Sequence, residues 1–168
     1  MSGSMRSRIT NKDQSMKVRL IWVGRTVRGP VSDGLRDYLD RLARTMVVEE
    51  VVVPEAGAGA PAYQQRVEGE RLLAAIKPGE RVVVLDERGV SMTSPEFAGR
   101  LGKWRDQGVR QVAFVIGGAY GMPDELRQRA DLVLALSPMT FPHQLVRVLF
   151  AEQLYRAISI LQGTGYHH

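Results

Sequence analysis

RVVVLD, residues 81–86, is the stretch whose reading decides the fold. Val82, Val83, Val84 and Leu85 are consecutive, and three of them are β-branched. Such a run offers no polar face to solvent, which is what a strand buried on both sides of a parallel sheet requires. Pro78-Gly79, just before it, stops the preceding segment. Outward from there, QVAFVIGG (111–118) repeats the pattern, and VRLIWVG (18–24), VVEEVVV (47–53) and DLVLALS (131–137) supply three more strand-like runs. The pair Glu49-Glu50 marks the 47–53 run as an edge or partly exposed strand.

Helical periodicity fills the intervals. SDGLRDYLDRLART (32–45) carries Leu35, Tyr38, Leu39 and Leu42 at helical spacing, with Ser32 or Asp33 as its cap. AYQQRVEGERLLAAI (62–76) follows a Gly/Ala/Pro-rich loop. SPEFAGRLGKWRDQG (94–108) opens with Ser94 as cap and Pro95 at its first helical position. PDELRQRA (123–130) makes a short helix, and Pro142 opens a last one over 143–161. Five strands alternating with five helices predict an α/β fold with a mainly parallel sheet covered on both sides. Ligands bind such sheets beyond the carboxyl ends of the strands. Here those ends are Gly24-Arg25, Leu85-Asp86-Glu87, Gly117-Gly118 and Leu136-Ser137, and all four are expected to converge on one rim.

Composition narrows the classes. A chain of 168 residues with 44% apolar content suits one domain with one good core. The absence of cysteine excludes disulfides and thiolate metal sites. No apolar run approaches the roughly 20 residues needed to cross a bilayer, and the start lacks the apolar middle of a signal peptide, so a cytoplasmic protein is expected. Of the formal charge of +5, Arg6, Arg8 and Lys12 against Asp13 supply +2. The remainder is only mildly basic, so any nucleic-acid surface has to be local. Residues 1–15 are polar and patternless, and are expected to be a disordered leader or vector remnant.

LSPMTFPHQLVRVLF (136–150) passes from a strand through a proline-punctuated bend into a helix. Unpaired amides at that helix start, with Ser137, Met139, Thr140, Phe141 and His143, combine hydrogen-bonding groups with apolar walls. The loop IGGAYGMPDE (116–125) has three glycines that allow close backbone approach to a ligand, although a plain tight turn explains them as well. Its spacing, G-G-x-x-G, is not that of a dinucleotide loop. Ser137 lies in no G-x-S-x-G elbow, and His143, His167 and His168 lack metal-ligand spacing, so no metal is expected. Asp86 and Glu87 are either a solvated strand end or carboxylates facing the ligand. The final helix is apolar nearly all round, more than one sheet can cover, which predicts burial against a second subunit in a homodimer.

VVVLDERG, FVIGGAYG and LALSPMTFPHQLVRVLFAEQLYRAISILQGTGYHH, with the start MKVRLIWVG, resemble the RlmH family of bacterial methyltransferases in the SPOUT superfamily. The resemblance spans residues 16–168, which it makes a single SPOUT methyltransferase domain with a trefoil knot in its C-terminal half. It implies an S-adenosylmethionine-dependent homodimer that methylates N3 of a pseudouridine in 23S ribosomal RNA, in the helix 69 region, on the assembled ribosome. Carried onto this chain, it places Leu85, Gly117, Leu136, Ser137, Pro138, Met139, Thr140 and Phe141 around the methyl donor. The alternatives are a SPOUT enzyme acting on tRNA and a non-enzymatic ribosome-binding module.

A pseudouridine imide is mostly protonated at neutral pH, so a general base or oxyanion donors are needed. His143 is the first candidate, at a helix N-terminus that disfavours its charged form; a packed or capping histidine is the alternative. Tyr166 and His167 are the second, on a tail expected to reach the partner's pocket. Arg147 and Arg156 are candidates for phosphate or base contacts, against internal pairing such as Glu152 with Arg156. Arg25, Arg28 and Arg88 sit on loops at the expected rim and are candidates for phosphates.

Overall fold

The structure, a computed structural model, describes residues 16–167, so the leader 1–15 and His168 lie outside the described residues. β1 (Lys17–Val23), β2 (Val48–Val53), β3 (Arg81–Ser91), β4 (Gln111–Ile116) and β5 (Leu132–Ala135) form one sheet in the order β2-β1-β4-β3-β5. Every neighbouring pair is parallel. Their carboxyl ends therefore share one side, and the helices α1 (Pro30–Ala43), α2 (Pro61–Ala75), α3 (Ser94–Asp106), α4 (Asp124–Arg129) and α5 (His143–Gln162) carry the chain back.

Alternation along the strands splits the core in two. Val112, Phe114 and Ile116 join side chains of α1, α3 and α5, whereas Ala113 and Val115 face α2 and α4 through Leu72 and Leu126. Val82, Val83, Val84, Phe114 and Val115 are fully buried, as interior strands demand. Three rings, Phe97, Phe114 and Phe150, join α3, β4 and α5, with centroids 4.7 Å apart for Phe114 and Phe150. β2 is an edge strand, and its glutamates pair outward, Glu49 with Lys17 at 2.8 Å and Glu50 with Arg36 at 3.0 Å.

Some boundaries differ from the sequence expectation. Gly29, not Ser32 or Asp33, caps α1, with Pro30 in the first turn. Ser32 is the third helical residue, and its hydroxyl accepts from Gly29 N–H at 3.0 Å. In α3 the cap is Thr93, whose hydroxyl accepts from Glu96 N–H at 3.2 Å while Glu96 accepts from Thr93 N–H, so Ser94 is already helical.

β3 is longer than 81–86. It breaks register after Leu85, then rejoins β5, so that Leu134 faces both Leu85 and Val90. Asp86 and Glu87, expected at the strand's end, instead lie in the irregularity between Leu85 and Val90. Gly89 fits there because a Cβ would lie 2.4 Å from the Val133 carbonyl oxygen. This doubled pairing wraps residues 85–91 about the strand that feeds the 136–141 bend.

Candidate active site

A cavity of about 780 Å³ opens at the carboxyl-end rim, between the ends of β3, β4 and β5 and the first turn of α5. Leu85, Gly117, Leu136, Ser137, Met139, Thr140, Phe141 and His143 all line it; Pro138, Tyr166 and His167 do not. Three of the four strand ends expected to converge thus meet. The end of β1 does not line this cavity: Arg25 borders a smaller cavity beside α1.

The 117–122 loop folds on itself before it meets any ligand. Gly118 and Gly121 form an antiparallel bridge, Gly121 N–H donates to Gly118 O at 3.1 Å, and Gly121 takes φ +78°. A Cβ on Gly117 would lie 2.7 Å from Met122 Cγ and 3.0 Å from Gly121 O. The glycine is thus required by the turn's own packing, whatever ligand it also admits. α2 braces this loop, with the Gln65 amide donating to Tyr120 O at 2.9 Å.

On the β3 side, Asp86 accepts from Arg127 Nη1 at 2.7 Å, so its carboxylate reaches the cavity already paired. Arg127 also donates to Asp124 and to Met122 O, and the hydrogen bond with Asp124 is the chief cause that raises its pKa. Sequence reasoning missed Arg127. Its pairing with Asp124 three residues earlier is visible as a helical spacing, but the partner that matters here is 41 residues away.

In the 136–141 bend, the Ser137 hydroxyl accepts from Met139 N–H at 3.0 Å, the role of a satisfied loop serine. This turn pushes Met139 outward, 72% exposed, while Phe141 stays half-buried. The bend separates two spaces. Behind it lies a second cavity of about 570 Å³, bordered by Ser94, Phe97, Glu152, Arg156 and Tyr166 as well as by Leu136, Ser137 and Phe141.

His143 begins α5 directly after the N-cap Pro142 and is half-buried. Burial lowers its pKa, the Arg147 guanidinium lowers it further, and Glu55 opposes both. The imidazole is therefore mainly neutral at pH 7 and able to accept a proton. The Gln144 amide nitrogen lies 3.4 Å from its Nε2.

Arg147 is not a substrate contact. It is fully buried and donates to Val23 O at 2.5 Å, Gly24 O at 2.9 Å and the Thr26 hydroxyl at 3.0 Å, with Trp22 stacked at 5.0 Å. Burial pulls its pKa down to about 10, which still leaves it charged. Arg156 forms the internal pair, with Nη2 2.6 Å from Glu152. The same glutamate accepts from the Tyr166 hydroxyl at 3.3 Å, and Arg156 lies 3.1 Å from His167 Nδ1. Burial and contact with Tyr38 push the Tyr166 phenol up to about 12, so it stays neutral. Within one chain the tail therefore packs on its own α5, on the second cavity.

Known proteins match this arrangement along nearly its whole length. A family model described as "Predicted SPOUT methyltransferase" matches residues 16–167. "Ribosomal RNA large subunit methyltransferase H" of Rhodospirillum centenum is 49% identical over 152 residues, covering 90% of this chain and 99% of that protein. The protein of that name from Geobacter metallireducens is 47% identical over 154 residues, covering 91% and 99%. Among solved structures, a probable methyltransferase from Bordetella pertussis Tohama I superposes with TM-score 0.59 at 18% identity, covering 88% of this chain and 98% of that one. A probable methylase family protein from Haemophilus influenzae gives 0.57 at 11% identity, covering 91% and 71%. The structural matches show the shared fold. Together with the sequence matches over the whole described chain, they establish that this protein belongs to the SPOUT methyltransferase family.

Proposed function

We propose that the chain transfers a methyl group from S-adenosylmethionine to N3 of a pseudouridine in 23S ribosomal RNA, in the helix 69 region of the assembled ribosome, in the cytoplasm and as a homodimer. The observation that carries this reading is the meeting of Leu85, the Gly117 turn, the 136–141 bend and His143 in one cavity. Its volume, about 780 Å³, suits a nucleoside-sized ligand. Backbone groups of the bend can pair with an adenine edge, and Leu85, Met139 and Phe141 supply apolar faces. When bound, S-adenosylmethionine supplies a methyl already activated on a sulfonium, so the chain's task is alignment rather than activation of the donor. His143, kept neutral by burial and by Arg147, accepts the N3 proton.

A second subunit is part of the reading. Leu145, Val146, Val148 and Leu149 on α5 remain half-covered or exposed in the single chain. A partner that buries them also brings a second Tyr166–His167 tail to the neighbourhood of the main cavity, where its own chain does not place it. Calorimetry with S-adenosylmethionine is the first test. A saturable site on each chain is expected, and no binding at millimolar donor would overturn the reading.

A further inference from the structure

The end of β1 stays outside the main cavity, yet α5 holds it unusually firmly. The first two turns of α5 make five polar contacts to residues 23–27. Arg147 donates to Val23 O, Gly24 O and the Thr26 hydroxyl, Gln144 Oε1 accepts from Val27 N–H at 3.0 Å, and the Gln144 amide donates to Arg25 O at 3.3 Å. The same Gln144 amide touches His143. The loop is thus one side chain away from the candidate base.

What the loop shows to solvent contrasts with this rigid backing. Arg25, Val27 and Arg28 are exposed, and Val27 is 66% accessible. Exposed loops are ordinarily the mobile parts of a fold, and fixing one has an entropic cost, which the contacts from α5 offset here. Of the nearby carboxylates, Glu50 is held by Arg36 at 3.0 Å, while Glu55 lies against the Gly24 backbone without pairing to Arg25 or Arg28. Asp33 borders the small cavity with Arg25, but neither Arg25 nor Arg28 forms an ion pair among the described residues.

We infer that the 24–28 loop is a preorganised RNA-docking platform, whose Arg25 and Arg28 bind backbone phosphates flanking the target nucleotide while α5 fixes their position relative to His143. This rests on the proposed rRNA reading and adds the surface by which a mildly basic protein grips its substrate. A loop held in place before binding loses less freedom on docking, so two cations suffice to set register without a separate RNA-binding domain.

The test is steady-state methylation of ribosomal particles from a strain lacking the modification, over a salt series. For Arg25→Ala/Arg28→Ala the KM for particles should rise on the order of tenfold, and the salt dependence of log affinity should flatten by about 1.5. Saturated turnover and S-adenosylmethionine affinity should hold. Gln144→Ala, which loosens the loop but keeps both cations, should raise the particle KM with the salt slope intact. A double variant with unchanged KM and slope would overturn the inference alone. No transfer to particles by the unaltered protein would overturn the rRNA reading and this inference with it.

Discussion

At His143 two effects work against protonation, burial first and the Arg147 guanidinium second. The folded-state pKa therefore lies below 6.5, and the imidazole becomes charged, and useless as a base, only as pH falls through that lowered value. Methyl transfer should be flat across neutral pH, with its acid limb below 6.5. His143→Ala should cost about 100-fold or more in turnover with donor affinity retained. A variant within about twofold of the parent would remove the histidine from the chemistry. Sequence reasoning found His143 but gave the helix terminus as the cause of its neutrality. Arg147 could not be read correctly from the sequence, because its acceptors are 121 to 124 residues away and two of them are backbone carbonyls. Gly117 was legible as a special glycine, and its first reason turned out to be the turn's own packing.

Among the elements, α5 joins the site to the expected interface. One stripe, Arg147, Phe150, Ala151, Leu154 and Ala157, is buried against the sheet and its neighbouring helices. Another, including Leu149 at 36% exposure, stays uncovered in the single chain. An apolar helix of this length was legible from periodicity, whereas the caps of α1 and α3 were misplaced by one to four positions because Gly29 and Thr93 compete with nearby polar residues. Leu149→Asp should convert the protein to a monomer in sedimentation at micromolar concentration and should abolish methyl transfer, since the partner's tail is then lost. An active monomer would contradict both the dimer and the role of the tail.

For the molecule as a whole, alternation of buried runs with helical segments was enough to give the parallel sheet and its functional rim. The order β2-β1-β4-β3-β5 was not legible, nor was the return of β3 along β5, because both depend on pairings that local pattern does not encode. These same pairings put residues 85–91, the Gly117 turn and the 136–141 bend around one cavity. On the proposed reading, this cavity delivers a methyl group to one pseudouridine of the large ribosomal subunit. Mass spectrometry of RNA after incubating the protein with labelled S-adenosylmethionine and ribosomes that carry the pseudouridines but lack the methyl group is the decisive check. Label on a single pseudouridine of 23S RNA and none on tRNA is expected; label on tRNA, or no labelled RNA at all, would rule this activity out.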